Sequence, residues 1–274
     1  MSSPIINTPN LLSGFNVIGT RSSSGGGGNY IPTIRKDLGP TILTKPSGFE
    51  LSTNSFGNKR KKENVTQIYL HHTAGQQRAD KCAGTVSTYN SRAAKGDNAS
   101  TQAAIDANGH VEEIVPWEYI AWGQGVKGYN FNTIGMSIEI MALGYFKTLS
   151  KDGKTYYRLN SEGKKTFAPI EECAPGVDYN LKEIKYKGYP VYQKYTAAQI
   201  KGTVAWVKKW MTFFDIKWKF NQDAYDNMFP DNKNLSPRAL NYEPGVYSHN
   251  SVKKTKSDIF PQKELIVAFK AAFK

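Results

Sequence analysis

The sequence predicts a domain of the α/β or α+β class with one central β-sheet, on two observations. Segments rich in β-branched and aromatic residues, such as TQIYLHHT (66–73), alternate along the chain with segments of helical periodicity. Of the 274 residues, 39% are hydrophobic and 22% are charged, which is typical of a globular chain that buries one core. Mixed strands and helices of this kind pack as layers around a single sheet.

The first 60 residues differ in composition from the rest and are predicted to form an N-terminal extension, partly flexible and of unknown role. GTRSSSGGGGNY (19–30) is a glycine–serine stretch of the kind found in flexible linkers. NKRKKEN (58–64) is a basic run directly before the first clear strand. We therefore expect the main domain to span residues 61–274.

Four elements are predicted in the first half of this domain. TQIYLHHT is the first strand, and it is followed by a helix at RADKCAGTVSTYNSRAA (78–94), a hairpin at TQAAIDANGHVEEIVP (101–116) and a strand at NTIGMSIEIMA (132–142). The hairpin should turn at Asn108-Gly109, because Asn-Gly is the strongest short signal for such a turn.

The second half is predicted to contain an insertion and two helices. Residues 149–195 are rich in lysine and tyrosine and read as small strands and loops inserted into the domain. TAAQIKGTVAWVKKWMTFFDI (196–216) predicts a long amphipathic helix with Thr196 as its N-cap. One face of that helix carries Ile200, Val204, Val207 and Met211. FPQKELIVAFKAAF (260–273) predicts a closing helix with Pro261 near its first turn.

Charge and composition limit the kinds of binding partner and the cellular compartments that we expect for this protein. The formal charge is +13 and the pI is about 9.5. This excess of positive charge indicates a polyanionic partner, either nucleic acid or an anionic cell envelope. The alternative is that the charge only keeps the protein soluble. No apolar run is long enough for a transmembrane segment, and the N-terminal stretch is a poor signal peptide. We therefore expect neither a transmembrane segment nor a signal peptide. Cys82 and Cys173 are too few for a disulfide framework.

Three side chains in two distant segments suggest a metal centre. His71 ends the first strand, while His249 and Asp258 lie nine residues apart in VYSHNSVKKTKSDIFP (246–261). Taken singly, each has an ordinary explanation, since buried histidines are often hydrogen-bonded core groups and an aspartate before a helix is often an N-cap. Taken together, they supply three ligands and leave a fourth position for water, as in a catalytic zinc site.

The order of five motifs resembles a known family, the zinc-dependent N-acetylmuramoyl-L-alanine amidases that share a fold with peptidoglycan recognition proteins and with the amidase-type lysozymes of podophages. The resemblance covers roughly residues 64–270. The motifs are IYLHHTA, DANGHVEEIVPWEYIAWGQG, KGYNFNTIGMSIEI, YTAAQIKGTVAWV and SHNSVKKTKSDIFP, in that order. This resemblance implies the α/β class, with a single central mixed β-sheet flanked by helices.

The resemblance also implies which residues hold and assist the metal. It assigns one Zn²⁺ to His71, His249 and Asp258, and it makes His72, the second member of the pair, a supporting residue. Lys256, two positions before the third ligand, matches a lysine placed to stabilise the oxyanion. The alternative for Lys256 is one more surface lysine in KKTKSD.

The chain departs from the family pattern at three places. A tyrosine that the family often has before the hairpin turn is replaced by Thr101, and a glutamate found in some members is replaced by Ser137. Glu139 lies two positions further, on the same face about 7 Å along the strand, and is the candidate proton shuttle. A solvent-facing glutamate is the competing interpretation. The frequent histidine after Ala-Trp is also absent, since Gly123 and Gln124 follow.

The activity that the resemblance implies is hydrolysis of the amide between N-acetylmuramic acid and L-alanine of the stem peptide, by zinc-activated water. Besides the catalytic candidates, we expect substrate contacts from Trp122, Tyr129, Thr101, Ser137 and His72, although core packing explains Trp122 equally well. The setting that fits is a phage lysin, held in the host cytoplasm until its release to the cell wall or carried in the virion. An exported bacterial toxin would have a similar sequence.

Two other classes of function remain open from the sequence. A non-catalytic peptidoglycan-binding protein on the same fold would typically lack a zinc ligand, whereas all three proposed ligands are present here. A nucleic-acid-binding protein is suggested by NKRKK and SVKKTK, but no recognisable module accompanies these runs. We therefore expect peptidoglycan and the anionic envelope as partners, no specific nucleic acid, and a monomer.

Overall fold

A five-stranded mixed sheet forms the centre of the molecule. The computed structural model describes residues 56–159, 163–231 and 234–274, so the predicted flexible stretch at 19–30 lies outside the described residues. The strands are β1 Phe56–Lys59, β2 Gln67–His72, β3 Ala103–Ile105, β4 Val111–Glu113, β5 Tyr119–Ala121, β6 Gly135–Ile140, β7 Tyr145–Phe146, β8 Thr148–Leu149, β9 Thr155–Leu159, β10 Lys165–Pro169, β11 Cys173–Ala174, β12 Gly176–Val177, β13 Glu183–Ile184, β14 Val191–Gln193 and β15 Gly245–Ser248. The helices are α1 Ala83–Ala94, α2 Phe131–Ile134, α3 Ala197–Phe214, α4 Gln222–Met228, α5 Pro237–Leu240, α6 His249–Val252 and α7 Lys263–Ala272.

The strand order of the central sheet is β15-β2-β6-β3-β4. The first four of these strands run parallel to their neighbours, and β4 is antiparallel to β3. Helices cover the sheet, and every residue of β2 is buried, as expected for a parallel strand with both faces covered. The predicted α/β class with one mixed sheet is confirmed.

The two faces of β2 pack against different surroundings, because side chains alternate across a strand. Ile68 and Leu70 belong to the main core, which also contains the buried faces of α3 and α7. Tyr69 points the other way, into a smaller cluster with Phe131 and Tyr247. The same alternation places the side chains of residues 71 and 72 on opposite faces of the sheet.

Helix α3 begins where its capping residues predict. The Thr196 hydroxyl accepts a hydrogen bond from the Gln199 amide at 3.0 Å, and the Gln199 side chain accepts one from the Thr196 amide at 3.0 Å. The predicted apolar stripe faces the sheet only in part. Ile200 and Val207 are buried and Val204 and Met211 are partly buried, while Trp206 and Trp210 fill the core beside them.

The β3–β4 hairpin turns at Gly109, whose φ of +78° is a conformation that side chains rarely adopt. A Cβ at this position would come within 2.6 Å of the Ala198 carbonyl oxygen, so the first turn of α3 packs directly on the turn. The predicted Asn-Gly turn therefore also fixes how the helix lies across the sheet.

Residues 145–193 form three small sheets beside the central one. The sheet β10-β9-β8 is antiparallel, β7 and β11 flank β14, and β12 pairs with β13. A small core containing Phe146 and Ala168 seals these strands onto the domain. The predicted insertion, 149–195, overlaps this region over residues 149–193.

Arg60, in the basic run, is part of the packed domain and is 7% exposed. Its guanidinium donates to the backbone oxygens of Trp117, Asn132, Thr133 and Gly135 at 2.7–3.0 Å. Burial lowers the pKa of Arg60 to about 9. The side chain thus ties the approach to β2 to the loop before β6, and β1 pairs with β5 next to it.

We expect Arg60→Ala to lower the free energy of unfolding by about 3–5 kcal/mol, because it leaves buried carbonyl groups without donors. Urea unfolding followed by circular dichroism measures this. Asn58→Ala, at an exposed position of β1 two residues before Arg60, is the control and should change stability by less than about 0.5 kcal/mol. A loss below about 1 kcal/mol for Arg60→Ala would show that water replaces those bonds at little cost.

Among the described residues, none of the helices combines the length and the apolar character that crossing a membrane requires.

Candidate active site

Parallel pairing brings two histidines to one edge of the central sheet. β15 runs alongside β2 with Ser248 opposite Leu70, so that His71, the next residue of β2, lies beside His249, the first residue of α6. Asp258 comes from the loop after α6 and is also buried. Carboxyl ends of adjacent parallel strands are a common place for binding sites, because the loops that follow them converge there.

The three side chains converge on one point through their ligand atoms. His71 Nδ1 lies 3.1 Å from His249 Nδ1. Asp258 Oδ2 lies 3.3 Å from His71 Nδ1 and 3.2 Å from His249 Nδ1. These atoms form a nearly equilateral triangle whose corners are two nitrogens and one carboxylate oxygen.

This triangle fits a zinc ion. Tetrahedral ligands at about 2.0–2.1 Å from Zn²⁺ are separated from one another by about 3.3 Å. His249 Nε2–H donates to the Gln124 carbonyl oxygen at 2.9 Å, which leaves the lone pair of Nδ1 directed at the other two ligand atoms. Three acceptor atoms this close repel one another unless a cation or a shared proton lies between them. The residues could therefore hold one metal ion with a fourth position open.

The electrostatics of Asp258 agree with a ligand role. Burial alone would raise its pKa, but His249 and His71, which attract the carboxylate and donate to it when their Nδ1 atoms carry protons, outweigh burial and hold the pKa well below its usual range. The carboxylate is ionised and ready to bind a cation.

Glu139 lies beside the triangle on the neighbouring strand. The β2–β6 register pairs it with His71, so both side chains are on the same face of the sheet. Glu139 Oε1 accepts a hydrogen bond from the Tyr89 hydroxyl at 3.2 Å, and Oε2 is buried with no hydrogen-bond partner among the described residues. Burial raises the pKa of Glu139 above its ordinary value. The residue as a whole is partly exposed and lines the groove described below.

Lys256 is partly exposed on the loop that carries Asp258. It is near enough for its charge to lower the pKa of Glu139 and of His72 slightly. The structure brings together His71, His249 and Asp258, with Glu139 paired to His71 on the next strand.

His72 is on the opposite face of the sheet from the metal ligands. It is buried, its Nδ1 lies 3.3 Å from the Tyr195 hydroxyl, and burial lowers its pKa to about 4. A Cβ on Gly144 would come within 2.6 Å of its Nε2. In this position His72 is a neutral, packed imidazole under the site.

Thr101 and Ser137 are not in the open part of the site. Both are buried, and the Thr101 hydroxyl donates to the Ser137 hydroxyl at 3.0 Å, which in turn donates to Gln102 Oε1 at 2.9 Å. These two positions, at which the family often has tyrosine and in some members glutamate, are thus joined here by a small hydrogen bond network.

The two aromatic candidates lie in different surroundings. The Trp122 ring packs on β1, where a Cβ on Gly57 would approach it within 2.8 Å. Tyr129 is exposed and stacks on Phe131 with ring centroids 4.9 Å apart. Neither side chain lies among the residues that line the groove described next.

A groove of about 410 Å³ opens beside Glu139. Its walls are the loop after β2 and one face of α1, and Glu139 and Met141 close it at the sheet. The lining side chains are mostly polar and include Thr73, Gln76, Arg78, Thr85, Thr88, Tyr89 and Arg92. Arg158 of β9 donates to the Ala74 carbonyl oxygen at 3.2 Å. This hydrogen bond connects the small sheet β10-β9-β8 to the loop after β2 that lines the groove.

Sequence reasoning missed two residues that orient this site. Tyr89 lies within the predicted helix 78–94, and its hydroxyl contact with Glu139 depends on how that helix lies on the sheet. The Gln124 carbonyl, which fixes the ring of His249, is a backbone group 125 residues away from it in sequence. A tyrosine on an otherwise small and polar helix was the one available signal for Tyr89.

Two histidines and an aspartate at the carboxyl edge of a mixed α/β sheet, with a partly buried glutamate alongside, form a group that could hold a metal ion. The comparison with known families identifies the class of protein more narrowly. A family model described as N-acetylmuramoyl-L-alanine amidase matches residues 61–258, which is more than half of the chain. The chain belongs to this family, and membership makes it a peptidoglycan amidase.

Solved structures give further similarities. The N-acetylmuramoyl-L-alanine amidase LysC from Clostridium intestinale URNW is 11% identical, with 80% of this chain and 93% of that chain covered and a TM-score of 0.39. AmpDH3 from Pseudomonas aeruginosa is 17% identical, with 83% and 66% covered and a TM-score of 0.38. PlyL is 14% identical, with 72% and 73% covered and a TM-score of 0.35. No curated protein sequence matches the chain.

Proposed function

We propose that this amidase cleaves the bond between the lactyl group of N-acetylmuramic acid and the L-alanine of the stem peptide, using one zinc ion. The observation that carries the proposal is the triangle of His71 Nδ1, His249 Nδ1 and Asp258 Oδ2, with Glu139 paired to His71 on the next strand. A zinc ion held there supplies a Lewis acid, which polarises a carbonyl and lowers the pKa of water from about 15.7 towards about 7.

Glu139 is proposed as the general base and then the general acid. Its Oε2 has no partner among the described residues, so it can take a proton from water and return it to the leaving amine of L-alanine. Tyr89 holds Oε1 and so fixes which carboxylate oxygen faces the reaction. Lys256 offsets negative charge on the tetrahedral intermediate from the rim of the site.

The groove beside Glu139 is proposed to take the stem peptide. Its walls carry hydroxyl and amide groups, which suit the hydrogen bonds of an extended peptide, and Arg78 and Arg92 suit its carboxylates. Tyr129, with its exposed ring, is the better placed aromatic candidate for flanking the glycan, since Trp122 is engaged by β1. Thr101, Ser137 and His72 would then act through the packing beneath the site.

An enzyme is favoured over a non-catalytic binder by the intact ligand set together with Glu139. The net charge of +13 favours binding near an anionic cell envelope. We propose no specific nucleic-acid partner. We further propose a monomeric phage lysin that acts on the host wall after release or from the virion.

The proposed reaction is tested by digesting purified sacculi and analysing the soluble products by mass spectrometry. Cleavage at the proposed bond releases complete stem peptides with a free L-alanine amine and leaves intact glycan strands. Release of disaccharide units, or of peptides shortened at their N-terminus, would assign a different bond. Binding to sacculi with no release of peptide would support the non-catalytic alternative.

A further inference from the structure

The small sheet β10-β9-β8 has two very different faces. On one face Ala168 is buried in a small core and Arg158 bonds to the Ala74 carbonyl oxygen. The strand register places Leu159 opposite Lys165 and Tyr157 opposite Phe167, so these four side chains share the other face. This second face is called the outer face below.

The outer face is apolar where a solvated sheet face is normally polar. Leu159 is 57% exposed and Phe167 is 52% exposed, and the Tyr157 and Phe167 rings are in contact with centroids 5.9 Å apart. Lys165 lies over the Tyr157 ring at 5.0 Å. Single exposed apolar residues are common, but a contiguous group on one face marks a surface that is covered in use.

Basic residues surround this apolar group. Residues 147–165 contain six lysines and arginines and two acidic residues. Lys147, Lys151 and Lys154 are exposed around β8 and β9, and Lys165 is on the outer face itself. Asp152, the acidic residue beside them, accepts hydrogen bonds from the Ser150 hydroxyl and the Lys154 amide.

We propose that the outer face docks on the surface of an anionic phospholipid bilayer. Leucine and phenylalanine side chains enter the boundary between headgroups and acyl chains, and the surrounding lysines pair with lipid phosphates. A glycan strand would satisfy the lysines and the aromatic rings, but Leu159 offers it neither a flat ring nor a hydrogen bond. A second copy of the chain would bring like charges together.

The docking surface is separate from the catalytic groups. Arg158 on the reverse face of β9 reaches the groove loop, so docking would hold the groove close to the membrane without changing its lining. The proposal adds a lipid partner to the amidase and does not depend on which peptidoglycan bond the enzyme cleaves.

The test is co-sedimentation of the full chain with vesicles of phosphatidylglycerol and phosphatidylcholine in equal parts, compared with vesicles of phosphatidylcholine alone. Wild-type protein should bind the anionic vesicles and bind them more weakly at high salt. The double variant Leu159→Ser, Phe167→Ser should lower the partition coefficient at least about tenfold, because two apolar side chains no longer leave water. Val267→Ser, at a 47% exposed apolar position on α7, is the matched control and should bind like the wild type.

Failure of wild-type binding to anionic vesicles, or equal binding by the double variant, overturns the proposal. If the double variant instead loses binding to purified sacculi while vesicle binding is absent, the outer face takes glycan and the lipid assignment is wrong. Cleavage of soluble muropeptides should stay within about twofold of wild type in both variants, and this distinguishes failure of docking from failure of the proposed amidase reaction.

Discussion

Replacing His249 with alanine is expected to abolish tight zinc binding and to reduce peptidoglycan cleavage by at least about a thousandfold, which corresponds to about 4 kcal/mol of lost transition-state stabilisation. The variant removes one corner of the triangle and leaves only His71 Nδ1 and Asp258 Oδ2 within reach of a metal. It also leaves the Gln124 carbonyl oxygen without the hydrogen bond that it accepts from His249 Nε2–H in the wild-type protein. Two ligands do not complete the three-residue set of a catalytic zinc site.

His110→Ala is the matched control for this variant. His110 is the histidine of the β3–β4 hairpin, and its Nε2 contacts Glu112 at 3.0 Å, away from the proposed ligands. The control should keep its zinc and its activity. Zinc content and release of stem peptide should be measured on both proteins, with circular dichroism to show that each is folded. A folded His249→Ala protein with wild-type turnover would remove His249 from the mechanism.

Glu139→Gln is expected to lower kcat by about 10²–10⁴-fold while zinc content stays at the wild-type level, because the amide cannot accept the proton from water. Glutamine keeps the shape of the side chain, and its oxygen can still accept the hydrogen bond from Tyr89. The loss should therefore lie in kcat, with KM changed by less than about threefold.

Glu113→Gln gives the corresponding control, since Glu113 is a second glutamate of the central sheet, is buried, and pairs with Lys209 at 2.6 Å. It should reduce stability and leave kcat unchanged. Unchanged turnover in Glu139→Gln would move the proton shuttle to another group. Loss of zinc from that variant would show that Glu139 supports the metal rather than the proton transfer.

The sequence predicted the elements whose signals are local. The Asn108-Gly109 turn, the Thr196 cap and the alternation around His71 each depend on residues within a few positions, and the structure has a hairpin, a helix start and a strand end at those places. The order of the motifs was enough to identify the family, and the family model confirms it. The proposed ligand set came from the residue types in two distant segments and from that resemblance, and the β15–β2 register supplies the physical reason why the two histidines are neighbours.

Contacts between distant elements could not be predicted in this way. The basic run suggested a nucleic-acid partner, yet Arg60 within it bonds to four backbone carbonyls, of Trp117, of two residues of α2 and of the first residue of β6. Thr101 and Ser137 were candidates for substrate contact because of their places in the family pattern. They lie instead in a buried pair, because the segment before β3 brings the Thr101 hydroxyl to Ser137 on β6. The outer face of β9 and β10 likewise exists only through the pairing of those strands.

The most direct test of the proposed mechanism is the metal content of the purified wild-type chain, followed by chelation and replenishment in a peptide-release assay on sacculi. We expect one zinc ion per chain, loss of activity when the ion is removed, and recovery when one equivalent of zinc is returned. Full activity in protein freed of divalent metals would contradict a role for His71, His249 and Asp258 as zinc ligands in the reaction.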